Sequence, residues 1–258
     1  MPALERHSFR CRDDNYGHLL HDAAPGVTMA VDAPEAPAIT AALRHKGWTL
    51  THILVTHHHA DHVAGNAALQ AEFGCRIIGP AAEEEKIPGL NQTVAGGSRF
   101  SLAGRVIEVL ACPGHTQGHV AYYLPQEKLV LSGDTLFALG CGRVFEGTLT
   151  EMFYAVTQFA TLPAETLVLC GHDYGWSNAR FALSVEPDNA ALQARMAEFA
   201  MWKAEGVLAP PSTIAAERAA NPFLRASSPE IRATLGMMQA RDMEVFAALR
   251  QRKDGFRG

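Results

Sequence analysis

The chain has no run of residues long and apolar enough to span a membrane, and its opening stretch, Met1-Pro2-Ala3-Leu4-Glu5-Arg6-His7, holds no apolar segment of the kind an export signal needs. Both absences set the expectation of a soluble, cytoplasmic protein. Basic charge is also in short supply: 22 Lys and Arg stand against 27 Asp and Glu, a formal net charge of -5 over 258 residues. Without a basic stripe to meet a phosphate backbone, a general nucleic-acid binder is excluded. An anionic substrate must instead find a local cluster of cations. Cysteine is scarce and scattered. The five, Cys11, Cys75, Cys112, Cys141 and Cys170, are odd in number and include no close pair, which argues against a disulfide framework, a dithiol redox motif and a thiolate zinc site. They are expected to be reduced and packed, Cys141 included, although it sits in a glycine turn.

Histidine is what the chain does have, and it is concentrated in Thr56-His57-His58-His59-Ala60-Asp61-His62, directly after the apolar run His52-Ile53-Leu54-Val55. That pattern reads as a strand ending in a metal site. Successive side chains of a strand alternate in direction, so His57 and His59 share a side while His58 points elsewhere. Asp61 and His62 then fall at the start of a helix expected over 63–73 and are placed to face a second cation.

The same arrangement recurs down the chain. An opening meander is expected over 8–20 and 27–32, with Asn15-Tyr16-Gly17 as a turn, then a helix over 37–46 stopped by Gly47. Residues 82–86, Ala-Glu-Glu-Glu-Lys, read as a solvated acidic turn with no evident chemistry. The apolar strand 105–111 leads to His115, the strand 129–131 to Asp134, and the strand 166–170 to His172. Several strand ends each supplying a metal-grade ligand at one edge of a sheet carry more weight than any lone histidine. After His172 no strand pattern is visible, and apolar periodicity from Asp188 and again from about 242 to 252 indicates a small helical domain. With no spare apolar stripe, a monomer is expected.

Sorted by reach, His57, His59 and His115 would hold one cation, Asp61, His62 and His172 the other, with Asp134 bridging. Neutral imidazoles with carboxylates and no thiolate suit an open catalytic site for zinc above all, with iron or manganese also acceptable. A cation pair of this kind makes hydroxide available at neutral pH, so no serine or cysteine nucleophile is needed. His58 and His119 are left as hydrogen-bonding or packing residues, and the Asp173 side chain is expected on the opposite face from His172.

The pattern Thr-His-His-His-Ala-Asp-His followed by His115, Asp134 and His172 resembles the metallo-β-lactamase superfamily. Gly140-Cys141-Gly142-Arg143-Val144-Phe145, Gly171-His172-Asp173-Tyr174, Asn221-Pro222-Phe223 and Arg250-Gln251-Arg252-Lys253-Asp254 are similar to one branch of it, the glyoxalase II or hydroxyacylglutathione hydrolase family. The resemblance implies an α/β fold, a four-layered αβ/βα sandwich over residues 1–173, with a helical substrate-binding domain over 174–258. It implies a binuclear thioester hydrolase that converts S-D-lactoylglutathione to glutathione and D-lactate in methylglyoxal degradation. Asp61 and Asp134 would serve the chemistry as well as the metals. Residues matching Arg143, Phe145, Tyr174, Arg250 and Lys253 contact the glutathione moiety, and three cations suit an acidic tripeptide. Where some members carry tyrosine and lysine, this chain has Phe145, which lacks a hydroxyl, and Arg143, which keeps the charge.

Overall fold

Two six-stranded sheets lie face to face in the computed structural model, which describes residues 3–257; Met1, Pro2 and Gly258, the ends of the two expected domains, lie outside the described residues. The first sheet opens with an antiparallel meander of β1 (Glu5–Cys11), β2 (Asn15–Asp22) and β3 (Val27–Val31). After helix α1 (Ala36–Lys46) it continues in parallel through β4 (His52–Leu54), β5 (Arg76–Pro80) and β6 (Gln92–Val94), with α2 (Ala60–Val63) and α3 (Asn66–Phe73) between β4 and β5. The second sheet is built from β7 (Arg99–Leu102), β8 (Arg105–Ala111), β9 (Val120–Leu124) and β10 (Leu129–Gly133). A hairpin, β11 (Leu136–Phe137) with β12 (Gly140–Cys141), and helix α4 (Leu149–Phe159) precede β13 (Leu167–Cys170), which pairs in parallel with β10.

The layering follows from side-chain alternation. In β2 to β5, Leu20, Met29, Val31, Leu54 and Ile78 pack between the sheets against Ile107, Val109, Tyr122, Leu129 and Leu131. Their alternate neighbours Leu19, Ala30, Ile53 and Ile77 face α1 and α3 through Ile39, Leu43 and Leu69. On the second sheet Ala121, Tyr123 and Val130 face outward onto α4, through Met152, Val156 and Phe159. With both faces of each sheet covered, the strands read as apolar runs, and the result is the expected four-layered sandwich.

The remaining helices are α5 (Gly175–Val185), α6 (Ala190–Glu205), α7 (Ile214–Ala220), α8 (Pro229–Leu235) and α9 (Asp242–Asp254). They share an apolar core with the second sheet: Val245, Phe246 and Leu249 of α9 are fully buried in the same cluster as Val130 and Val156. Burying a phenylalanine to that extent stabilises by about 1.5–3 kcal/mol. Anchored there, α9 carries its last turn toward the site. No helix among the described residues is long and apolar enough to cross a membrane.

Four expectations need correction. Asn15 and Tyr16 begin β2 and do not form a turn, which lies at 12–14, because Asn15 bridges to His172 across the fold. The helix expected over 63–73 is broken into α2 and α3, with Ala64 and Gly65 between them. A two-residue strand, β14 (Ser212–Thr213), lies beyond His172 and pairs antiparallel with β13; two residues are too few to show a period. The segment Ala81–Lys86 is a 3-10 turn whose Glu83 is buried, so it is neither wholly solvated nor idle.

Candidate metal centre and substrate cleft

Each ligand loop leaves a strand at one edge of the sandwich. The loop after β4 brings His57, His59, Asp61 and His62; the loop after β8 brings His115; Asp134 follows β10 and His172 follows β13. Ligating atoms of His57, His59 and His115 lie within 4.8 Å of one another, and so do those of Asp61, His62 and His172. Asp134 sits between the groups: its Oδ2 is 3.4 Å from His115 Nε2 and 3.3 Å from His172 Nε2, and its Oδ1 is 3.5 Å from His62 Nε2. The fold thus brings together all seven side chains singled out from the sequence, and it also places His57 with His62 and Asp134. Gly171 makes the closeness possible, since a Cβ there would stand 2.2 Å from Asp134 Oδ1.

The nitrogens facing away from the site define the tautomers. His115 Nδ1 donates to the Arg143 carbonyl (2.9 Å). His62 Nδ1 donates to Asp32 Oδ2 (2.8 Å), and His172 Nδ1 to Asp14 Oδ1 (3.0 Å). Thr56 Oγ1 gives its proton to Asp32 Oδ2 (2.9 Å), so its oxygen accepts from His57 Nδ1 (3.0 Å). In neutral imidazoles so arranged, the Nε2 lone pairs point inward, the usual way a protein orients metal-binding histidines.

A cation fits what is left inside. Both His57 Nε2 (3.1 Å) and His115 Nε2 (3.0 Å) face the single Nδ1 of His59, which can donate to only one of them. Asp134 Oδ1 is buried with no hydrogen-bond partner among the described residues, an orphaned acceptor of the kind a metal satisfies. Electrostatics divide the cage. Burial, reinforced by neighbouring imidazoles, holds His57 well below its ordinary pKa, and burial with His115 lowers His59. Burial also lowers His115, against the pull of Asp134. All three are thus kept neutral, the form that ligates. In the other half burial is overcome: Asp134 and Asp32 raise His62 well above normal, and Asp134 with Asp61 lifts His172 to about 10. Burial of Asp134 is likewise outweighed, by His62 and His172, which hold its carboxyl far below the usual range. This half calls for positive charge, which protons or a cation can provide.

A cleft of about 430 Å³ joins the cage to the chain's cations, lined by His59, Asp61, His115, Asp134 and His172, with Tyr174 beside them, and by Arg143, Arg250 and Lys253. The Tyr174 ring lies parallel to that of His172 at 4.7 Å. Phe145 is exposed at the rim, its ring edge-on to His115 at 5.2 Å and to His59 at 5.8 Å. Lys253 Nζ donates to the Ser177 carbonyl (3.1 Å) and hydroxyl (3.2 Å). Arg250 is almost fully buried; it donates to the Cys141 carbonyl (2.7 Å) and to Asp254 Oδ1 (2.9 Å), and Arg143 Nε lies 3.6 Å from the same carboxylate. Asp254 therefore shares the cation cluster, a role its place at the end of the helix did not signal.

Cys141 packs as expected, yet it does have a basic neighbour: Arg250 Nη1 is 3.8 Å from its Sγ. Burial nonetheless prevails and pushes the thiol up to about 11. His119 takes no place in the cage; its Nε2 accepts from the Asp134 backbone N–H (3.1 Å). Asp173 turns away, as expected, to accept from Tyr16 Oη (3.0 Å) and Arg10 Nη2 (3.2 Å). Sequence reasoning missed Asp14, Asn15, Asp32 and Thr56. Asn15 Nδ2 donates to Asp61 Oδ2 (3.2 Å). The one signal was position: Asp32, like Asp134, directly follows an apolar strand, and its left-handed φ of 56° marks a functional turn.

Residues 17–172 match the family model of the metallo-beta-lactamase superfamily, and residues 173–256 that of the hydroxyacylglutathione hydrolase C-terminus. A Rhizobium meliloti protein named hydroxyacylglutathione hydrolase is 52% identical over 99% of this chain and 100% of its own length. One from Brucella anthropi with the same name is 53% identical over 99% of this chain and 98% of its own length. Among solved structures, ETHE1 from Myxococcus xanthus matches with a TM-score of 0.65 and 25% identity, over 99% of this chain and 100% of that one.

Proposed function

The chain belongs to the hydroxyacylglutathione hydrolases of the metallo-β-lactamase superfamily, and from that premise we propose which of its residues carry the metal-dependent hydrolysis of an S-2-hydroxyacylglutathione. The products are glutathione and a 2-hydroxy acid, D-lactate when the substrate is S-D-lactoylglutathione. One observation carries the assignment: a single cleft is lined by the imidazole and carboxylate cage at one end and by Arg143, Arg250 and Lys253 at the other. A glutathione thioester has the matching polarity, a neutral thioester joined to an anionic tripeptide.

His57, His59 and His115 would hold one divalent cation, Asp61, His62 and His172 a second, and Asp134 both. Zinc is the assigned metal; iron and manganese suit the same donors. When bound, such a pair supplies an acidified water as nucleophile and a Lewis acid for the thioester carbonyl. The chain's own part is orientation. Asp32, Thr56, Asp14 and the Arg143 carbonyl keep protons on the outer imidazole nitrogens. Asp61, held by Asn15, has Oδ2 3.3 Å from His172 Nε2, where it serves both metal and nucleophile. Arg143, Tyr174, Arg250 and Lys253 bind the peptide, and Phe145 supplies an apolar rim beside it. The leaving thiol has a pKa near 8.5, so it departs as thiolate without a general acid. Residues 1–173 are taken as the catalytic unit and 174–258 as the substrate-binding unit of a cytoplasmic monomer, a state that light scattering on the purified protein checks.

The test is spectrophotometric hydrolysis of S-D-lactoylglutathione before chelation, after it, and after return of zinc, iron or manganese. The expected course is activity, loss and recovery. Full turnover in the chelated protein would overturn the cage as the reacting centre, and no turnover before chelation or with any of the metals supplied would overturn the substrate.

A further inference from the structure

We infer that Glu83, in the turn between β5 and β6, is a positioning residue that clamps the two ligand loops of the first metal set to each other. The inference deepens the cage described above and rests on it. Glu83 is 3% exposed, and both carboxylate oxygens are taken. Oε2 accepts from the His58 backbone N–H (2.7 Å) and pairs with His58 Nδ1 (2.9 Å). Oε1 accepts from the Thr116 hydroxyl and from the Gly118 backbone N–H (2.9 Å).

His58 lies between His57 and His59, and Thr116 directly follows His115, so one buried carboxylate holds the His58 backbone in the first loop and the Thr116 hydroxyl and Gly118 backbone in the second. The two loops leave strands of different sheets, β4 in the first and β8 in the second. Their only covalent link is a long stretch of chain, and the clamp gives them a short one. Gly118 is shaped for it, because a Cβ there would meet Glu83 Cγ at 2.5 Å. The strap extends through His58, whose Nε2 is 3.2 Å from Glu146 Oε1; Glu146 Oε2 in turn accepts from the Gln117 N–H (3.0 Å). Glu146 lies next to Phe145 in the substrate loop, so the metal end and the rim of the cleft are braced together.

Glu83→Gln is the sharp variant. It keeps the size, but each oxygen of Glu83 now receives a backbone N–H, so a glutamine must turn its own NH₂ toward one of them. Two measurements on the full-length holoenzyme decide the matter: the rate of metal loss to a chromophoric chelator below Tm, and amide exchange at His58 and Gly118. Glu83→Gln is expected to lose metal about 10–100-fold faster, to exchange both amides faster, and to lower kcat with KM for S-D-lactoylglutathione held. Thr116→Val, which removes one hydroxyl from the same oxygen, should move all of these less in the same direction, and it decides alone if the Gln variant does not fold. A lowered Tm with metal loss and both exchange rates at wild-type values would overturn the clamp. If the wild type itself carried no metal, the cage reading would fall, while the amide exchange would still decide the clamp.

Discussion

The two ends of the cleft are built on opposite principles. At the cage, seven short side chains stand on loops that leave strand ends and on the short helix α2, and the outward nitrogens of His57, His62, His115 and His172 are each tied to a named partner. At the far end, three long cations reach in from two distant stretches, the loop at 143 and the last turns of α9; Arg143 and Arg250 share one carboxylate, Asp254, while Lys253 is held by Ser177. Chemistry that depends on tenths of an ångström is placed on the rigid edge. Recognition of a flexible, charged peptide tolerates side chains that adjust, and Asp254 offsets part of the repulsion among the cations. Arg250 belongs partly to each end: it lines the cleft, but its guanidinium also ties α9 to the hairpin through the Cys141 carbonyl.

The contrast breaks most visibly at Asp134. Asp134→Ala removes the one carboxylate among the described residues that faces both proposed metal sets, and kcat should fall by roughly three orders of magnitude together with metal content. Metal analysis beside steady-state kinetics checks this; near-normal turnover would mean that the two halves do not act as one site. A step down in size is Asp32→Asn. Asparagine tolerates the left-handed backbone at this position, so the change leaves the turn in place and removes the charge and one of the two acceptor oxygens that orient His62 and Thr56. Activity or metal affinity should fall about 10–100-fold with the ligands themselves untouched. A wild-type result would show that the cage does not depend on its outer hydrogen bonds.

Those two residues also mark what was legible in the sequence. The residues that gather in the cage were, because they follow strands where an apolar run gives way to His or Asp, and this recurs along the chain. Asp32 occupies the same kind of position after β3, but a lone Asp after a strand reads as any turn. Glu83 was misread outright, since three successive glutamates look solvated and only the tertiary fold shows that one of them turns inward. Asn15 was taken for a turn former for a similar reason: asparagine favours turns locally, and its strand pairing with His172 arises from residues far away in the chain. Layering came only with the family resemblance, because strands covered on both faces, such as those holding Leu19-Leu20 and Ile53-Leu54, read as unbroken apolar runs, and β14 was too short to carry any period.

The cationic end should respond in KM. Lys253→Ala with Arg250→Ala removes charge-assisted hydrogen bonds of about 1.5–3 kcal/mol, so KM for S-D-lactoylglutathione should rise at least tenfold while kcat stays within a few-fold. The Arg250 change should also lower Tm in a melt, because it removes the donor to the Cys141 carbonyl and one of the two cations on Asp254; Lys253→Ala alone should not. A fall in kcat with KM unchanged would move these cations out of the binding role.

The smallest effect is also the most specific to one side chain. Burial, then the charges of Arg250 and Arg143, push the Lys253 ammonium down to about 8. Below that value it is charged and attracts a carboxylate; above it, the charge is gone. The sign is therefore fixed: affinity for the anionic peptide is present at pH 7 and is lost as pH rises through about 8. An ion pair of about 0.5–1 kcal/mol corresponds to a two- to fivefold loss of kcat/KM. The metal cage has its own pH dependence, so the measurement is the ratio of wild type to Lys253→Arg at each pH, in which the common part cancels. Arginine keeps its charge throughout this range. The ratio should bend downward near pH 8, and a ratio flat from 7 to 9 would show that the Lys253 charge does not contribute to binding.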